Sequence, residues 1–139
     1  MEIFSAEIVL PISTPAVRNG AIAVENGIIT QLGSRAELKK LYPKAREKHF
    51  SLILPCLINA HTHIELCSLP KLSAPRGFTS WLVQIVREKR KLTISQMKKS
   101  AQQAIKECLN LGICALGDVA SEPAVLDVHK NSPLCSTVF

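Results

Sequence analysis

The chain has 139 residues, of which 47% are hydrophobic and 4% aromatic. This length and composition fit one globular domain of ordinary size and exclude collagen-like, coiled-coil and disordered chains. Seventeen basic and 11 acidic residues give a formal net charge of +6, which is too mild to indicate a nucleic-acid-binding protein. No apolar run reaches the roughly 18 residues of a membrane span, and the first residues lack the basic region of a signal peptide. We therefore expect a soluble, cytoplasmic protein that binds neither nucleic acid nor membrane.

The cysteines are odd in number and form no C-x2-C pair. Disulfide frameworks and zinc fingers both depend on paired cysteines with regular spacing. We therefore expect reduced and mostly buried thiols. The five are Cys56, Cys67, Cys108, Cys114 and Cys135.

The first 53 residues are predicted to form short strands. Two β-branched runs, 21–25 and 28–32, flank Asn26-Gly27, a dipeptide typical of two-residue hairpin turns because both residues tolerate positive φ. A further strand is predicted over 2–10, and Pro11 and Pro15 are expected to end it. The pattern predicts a small β-unit over residues 1–53.

Capping signals predict the helices. A serine or threonine followed three residues later by glutamate or glutamine satisfies two backbone N–H groups at a helix start, and proline is favoured in the first turn. The signals are Ser34-x-x-Glu37 for a helix through Leu41, Thr79 or Ser80 for a helix containing Trp81, Thr93-x-x-Gln96 for a helix that ends before Gly112, and Ser121-Glu122-Pro123 for a last helix.

After residue 53 the pattern indicates alternating strands and helices. The run 54–60 is apolar at nearly every position, as expected of a parallel strand that is buried on both faces. Further strands are predicted over 113–116 and 135–139. Because helices separate these strands, we predict an α/β domain over 54–139.

The residues with metal-binding chemistry lie at the end of the first of these strands, in the segment 59–65 (N-A-H-T-H-I-E). On an extended strand residues i and i+2 point to the same side, so His61 and His63 are expected to present their imidazoles together. Neutral imidazole is a favoured ligand for zinc and iron, and catalytic groups of barrel enzymes collect at the carboxyl ends of strands. The alternative is that both histidines only form hydrogen bonds at a strand end.

The segment 54–66 resembles the first barrel strand of the amidohydrolase superfamily, whose pattern runs proline, glycine, two apolar residues, a small or polar pair, then H-x-H. The hairpin with Leu32-Gly33 is similar to the small β-sandwich that precedes the barrel in the deaminase and chlorohydrolase branch, and 112–118 is similar to its second strand. His63 to Leu66, followed by Gly77-Phe78 and Trp81, is most similar to aminofutalosine deaminases. The resemblance implies the start of a metal-dependent (β/α)8 barrel, preceded by a partial β-sandwich.

By this resemblance, His61 and His63 are two ligands of one zinc or iron ion. The implied activity is hydrolytic deamination of a small purine-like or other amino-heterocyclic substrate. Glu65 matches a position where a substrate contact is expected, the alternative being an exposed carboxylate without a role. Asp118 is expected either to contribute to the site or only to cap a turn. Cys56 stands where the family has glycine, which alters the entry to the strand.

The length does not suit a complete barrel. A (β/α)8 barrel takes about 250 residues, roughly 31 per unit, whereas 54–139 contains 86. The family's later metal ligands and its acid–base group have no counterpart here, and neither His49 nor His129 is placed to replace them. We therefore expect an amino-terminal fragment without activity of its own, whose small-molecule substrate binds to a full-length parent. A homo-oligomer is left open.

Two other readings use the same histidines. Residues 63–65 fit the H-x-E of cytidine deaminases, but the P-C-x-x-C that those enzymes require is absent from the sequence. A non-catalytic zinc domain is the alternative: Cys56, His61, His63 and Cys67 form a C-x4-H-x-H-x3-C pattern with four potential ligands. Strand alternation disfavours it, because Cys56 is an odd number of residues from His61.

Overall fold

Each of two units of the chain, Met1–Pro55 and Cys56–Phe139, has its own β-sheet. The computed structural model describes residues 1–72 and 77–139. Among these residues no helix is long and apolar enough to cross a membrane. The two units are described separately.

The sheet of the first unit has the strand order β3-β2-β1-β4. Its strands are β1 (Glu2–Val9), β2 (Val17–Glu25), β3 (Ile28–Ser34) and β4 (Arg46–Ile53), and helix α1 (Arg35–Leu41) joins the last two. The pairs β1/β2 and β2/β3 are antiparallel, whereas β1/β4 is parallel. The strand β4 was not predicted, because its sequence R-E-K-H-F-S-L-I lacks a regular alternation of polar and apolar residues.

The predicted hairpin and the first predicted helix are confirmed. Asn26 and Gly27 have φ values of 52° and 78°, the left-handed conformation that this turn requires. Ser34 caps α1, since its side chain accepts from the Glu37 backbone while the Glu37 side chain accepts from the Ser34 backbone. These local signals were sufficient because each depends on residues that are close in sequence.

One face of this sheet is covered by α1. Ile3, Ala21, Ala23 and Leu38 form the buried core between the helix and the sheet. Because side chains alternate along a strand, the opposite face carries a second apolar set. Its exposed members include Leu32, Phe50 and Leu52.

The second unit alternates strands and helices, which confirms the predicted α/β class. Its sheet has the order β5-β6-β7 and both strand pairs are parallel. The elements are β5 (Leu57–Thr62), a 3₁₀ turn (Ile64–Leu66), α2 (Phe78–Lys89), α3 (Ile94–Asn110), β6 (Ile113–Asp118), a 3₁₀ turn (Pro123–Val125), α4 (Leu126–Lys130) and β7 (Cys135–Val138).

Two expectations for this unit are wrong in detail. Helix α2 begins at Phe78, and its N-cap is Gly77 without a side-chain cap, so neither Thr79 nor Ser80 starts it. The strand β5 is not buried on both faces: Leu57 is 53% exposed and Ile58 is 72% exposed, and neighbouring residues of a strand point to opposite faces. In contrast, Thr93 caps α3 with Gln96 as predicted.

Helix α3 provides the main packing surface of this unit. Its buried residues, together with those of the sheet and of the two 3₁₀ turns, form one apolar cluster. This cluster fixes the 3₁₀ turn after β5 against α3 and β6. Its members are Ile64, Met97, Ala101, Ala104, Ile105, Leu116, Val125, Val128 and Leu134.

The expectation of five reduced, mostly buried thiols is wrong. Cys56 and Cys114 form a disulfide, with Cα atoms 5.7 Å apart. They are 58 residues apart in sequence, and the pairing of β5 with β6 brings them together, which spacing rules do not detect. Of the free cysteines in the described residues, Cys67 and Cys135 are exposed and Cys108 is half-buried.

Candidate functional site

The two predicted histidines lie side by side at the carboxyl end of β5. The ring centroids of His61 and His63 are 5.2 Å apart, with an angle of 83° between the ring planes. Both side chains are exposed. The prediction that the two imidazoles are presented together is confirmed.

The ring of His63 is oriented by a backbone carbonyl. Its Nδ1 lies 2.9 Å from the carbonyl oxygen of Val119, the residue that follows β6. A carbonyl oxygen accepts hydrogen bonds only, so Nδ1 is the donor in this contact, and in the neutral ring Nε2 then has the free lone pair. Histidines that bind metals commonly donate their second ring N–H in this way.

The spacing of the rings fits a shared metal ion. A ligating nitrogen lies about 2.0–2.1 Å from zinc, so two rings on one tetrahedral ion have centroids roughly 5 Å apart. The separation of His61 and His63 is 5.2 Å. The spacing of the two imidazoles is therefore compatible with a shared zinc or iron ion, and metal binding by them stays a prediction.

The end of β6 lies directly beside this pair. Gly117 is required at this point, because a Cβ atom there would overlap the carbonyl group of Ala60. Two residues further on, the N–H of Val119 donates to the oxygen of Thr62 at 2.9 Å. The close approach of the two backbones is what allows the Val119 carbonyl to reach the ring of His63.

Glu65 is fully buried, with 0% of its surface exposed. Its carboxylate accepts from the backbone N–H of Ser121 at 3.2 Å and from the Ser121 hydroxyl, and it lies 3.2 Å from Nζ of Lys89. Burial opposes ionisation, but the bonds from Ser121 and Lys89 outweigh it and lower the pKa of the Glu65 carboxyl. The alternative of an exposed carboxylate without a role is wrong. The substrate contact stays a prediction.

Asp118 caps a turn, but not the turn that follows it in sequence. Its Oδ1 accepts from the N–H of Ile64 at 3.0 Å, and its Oδ2 lies 2.9 Å from Nε2 of His129. The carboxylate of Asp118 is completely buried and His129 is 7% exposed. The pairing of Asp118 with His129 was not predicted from the sequence. The one indication in the sequence was that His129 follows Val128, an apolar residue that packs in the core.

The four-ligand zinc alternative is not assembled. Cys56 is bonded to Cys114 and so cannot bind a metal as a thiolate. Across residues 1–72 and 77–139, no group of three or more His, Cys, Asp or Glu side chains is placed to hold a metal ion. Phe78 packs against Trp81 at a centroid distance of 5.7 Å and is 70% exposed.

No protein-family model matches the chain. It is 31% identical over 114 residues to an adenosine deaminase of Helicobacter pylori, a match that covers 80% of this chain and 27% of the relative. The structure matches that of Helicobacter pylori aminofutalosine deaminase in complex with methylthio-coformycin, with a TM-score of 0.81 and 25% identity over 100% of this chain and 35% of that one. A zinc-bound adenosine deaminase of Xanthomonas campestris matches at a TM-score of 0.69 and 23% identity, over 92% of this chain and 31% of that one.

The chain is therefore homologous to adenosine and aminofutalosine deaminases of the amidohydrolase superfamily. It spans about a quarter of the length of the curated relatives and about a third of the matching structures. The resemblance predicted from the segment 54–66 is confirmed.

Proposed function

We propose that this chain supplies the first two metal ligands, His61 and His63, of a hydrolytic deaminase for small amino-heterocyclic substrates. The carrying observation is the pair of rings 5.2 Å apart at the end of β5, with the His63 proton held on Nδ1 by Val119. Imidazole nitrogens suit zinc and iron, and the proposed ion is one of these. When bound, such an ion activates a water molecule for attack on the amino-bearing carbon.

In this proposal the second unit is the start of a (β/α)8 barrel. The parallel order β5-β6-β7, with helices between the strands, is consistent with the first three strands of such a barrel. The first unit is proposed to be part of a β-sandwich, because one face of its sheet presents exposed apolar side chains such as Phe50 and Leu52.

In this proposal Val119 orients the ring of His63, and Ser121 and Lys89 orient the carboxylate of Glu65. Val119 keeps the proton of His63 on Nδ1, so that Nε2 points its lone pair away from the protein backbone. Glu65 is proposed to be close to the substrate site, and its bonds to Ser121 and Lys89 fix the carboxylate in one position. The substrate itself is proposed by homology, since relatives of this chain act as adenosine and aminofutalosine deaminases.

Two ligands are not sufficient for catalysis. A catalytic zinc ion normally has three protein ligands and one open position, and the described residues assemble no group of three. We propose that the remaining ligands and the acid–base group come from protein outside these 139 residues, and that the chain alone is inactive.

Zinc titration calorimetry on the 139-residue chain tests the proposal. The parent is expected to bind zinc, and His61→Ala and His63→Ala are each expected to weaken binding at least about tenfold, since each removes one of two ligands. His49→Ala is the matched control, because His49 contacts Ser5 in the first unit. Binding that is unchanged in both site variants would refute the proposal.

A further inference from the structure

We propose that Asp118 is a positioning residue for the metal-binding ring of His63. The inference rests on the proposed metal site. In this inference Asp118 fixes the backbone next to His63 through its hydrogen bond with Ile64, and this keeps the ring beside the Val119 carbonyl.

His63 is held to one short segment by three hydrogen bonds. The preceding residue, Thr62, accepts from the N–H of Val119 at 2.9 Å. The following residue, Ile64, donates to the carboxylate of Asp118 at 3.0 Å. Between them, Nδ1 of His63 meets the Val119 oxygen at 2.9 Å. Asp118 and Val119 thus bracket His63 from both sides.

Asp118 is itself fixed by a buried partner. Its Oδ2 is 2.9 Å from Nε2 of His129, and a carboxylate accepts hydrogen bonds, so His129 donates from Nε2. Within the described residues, Nδ1 of His129 is buried and has no hydrogen-bond partner. The pair connects α4 to the end of β6, so Asp118 has a single orientation.

The bond between His63 and Val119 needs this support. This bond is exposed, and water competes with exposed hydrogen bonds, so one such bond stabilises a ring orientation only weakly. The bond from Ile64 to Asp118 is buried, where losing it leaves an unsatisfied N–H group. The buried bond therefore determines whether the exposed one persists.

The tautomer of His63 provides a readout that stability alone does not move. In long-range ¹H–¹⁵N spectra of the neutral ring, the parent is expected to show His63 with its proton on Nδ1. Asp118→Ala is expected to shift His63 to a mixture dominated by Nε2–H, the form of an unconstrained histidine. Asp118→Asn is expected to restore Nδ1–H, because its amide oxygen still accepts from Ile64 and its NH2 group can donate to Nε2 of His129 once that ring carries its proton on Nδ1.

Asp127→Ala is the matched control. This carboxylate lies on α4, is exposed, and pairs with Lys98 at 3.4 Å. Its removal is expected to leave the His63 tautomer unchanged. A folded Asp118→Ala chain that keeps His63 on Nδ1–H overturns the proposal, as does a folded Asp118→Asn chain that fails to restore it.

A second measurement decides the matter if Asp118→Ala does not fold. In the parent, the amide proton of Ile64 is expected to exchange as slowly as the amides of the β5–β6 ladder. Exchange at the rate of an exposed turn overturns the proposal.

Zinc affinity distinguishes the proposed metal site from the proposed role of Asp118. In Asp118→Ala, zinc affinity is expected to fall about 10- to 100-fold, as for other residues that orient metal ligands. A parent that binds no zinc refutes the proposed function. In that case the tautomer of His63 in Asp118→Ala still tests whether Asp118 positions the ring. If Asp118→Ala binds zinc as the parent does and its His63 tautomer is unchanged, only the role of Asp118 is rejected, and the proposed function stands.

Discussion

Nδ1 of His63 lies 2.9 Å from the carbonyl oxygen of Val119, which ties a side chain at the end of β5 to the backbone just after β6. The orientation of the candidate ligand therefore depends on how closely the two strands approach. A substitution that disturbs the pairing of β5 with β6 is therefore expected to affect the site as well as a substitution of His63 itself.

Gly117→Ala tests the strand approach. The new Cβ would overlap the carbonyl group of Ala60, and because backbone atoms cannot move aside easily, we expect the free energy of unfolding to fall by about 2–3 kcal/mol, the upper part of the range for overpacked sites. Urea unfolding followed by circular dichroism measures the change. In Gly112→Ala nothing lies within 4 Å of the new Cβ, so its backbone conformation alone is strained, at about 1 kcal/mol. Equal losses in the two variants would contradict the close approach.

The buried carboxylate of Glu65 gives a second prediction. Glu65→Ala removes the partner of Lys89 and the acceptor for Ser121, so it is expected to lower the free energy of unfolding by about 2–4 kcal/mol. Urea titration measures this loss. Lys89→Met, which keeps most of the chain length, is expected to cost a similar amount, because it leaves the buried carboxylate without a counter-charge. A neutral Glu65→Ala substitution would show that the contacts do not form.

The first unit predicts a pH dependence of stability. Hydrogen bonds from Arg35, Lys39 and Ser5 to Glu47 lower its pKa from 4.5 to about 2. A carboxyl with a depressed folded pKa stabilises above its unfolded pKa, and this stabilisation is lost as the pH falls from about 4.5 towards 2. Because the cluster is near the surface, we expect about 1 kcal/mol at most.

Chemical unfolding across this pH range measures the effect. Glu47→Gln is expected to flatten the dependence in this window, whereas Glu7→Gln, an exposed position on β1, is expected to leave it as in the parent. A parent-like slope in Glu47→Gln would contradict the assignment to Glu47.

Local signals in the sequence predicted much of the fold. Asn26-Gly27 specified its hairpin, and the capping boxes at Ser34 and Thr93 specified the starts of two helices, because each signal acts within four residues. The His61–His63 pair was predictable for the same reason, since strand alternation relates neighbouring residues.

Three of the features that sequence reasoning missed join distant residues. Asp118 meets Ile64 across 54 positions, and the disulfide partners are separated by 58. Glu65 meets Ser121 across 56. No spacing rule reaches this far, and the contacts follow from the pairing of β5 with β6, which only the structure provides.

Catalysis by the chain alone is expected to be absent. Removing one well-placed electrostatic group costs about 100- to 1000-fold in typical enzymes, and a site limited to His61 and His63 would lack several. Ammonia release from adenosine, guanosine, cytidine and aminofutalosine is therefore expected to stay at the no-protein background, with or without added zinc or iron. Turnover that disappears in His61→Ala would contradict this and would indicate that a second copy or a partner completes the site.

The central claim is that His61 and His63 together bind the metal, and metal content after purification tests it most directly. Mass spectrometry of the parent is expected to find zinc or iron bound to the chain, and of the His61→Ala/His63→Ala double variant to find it lost. Cys56→Ser and Cys67→Ser are expected to retain the parent's metal. A double variant that keeps as much metal as the parent, or loss in the cysteine variants instead, would contradict the account.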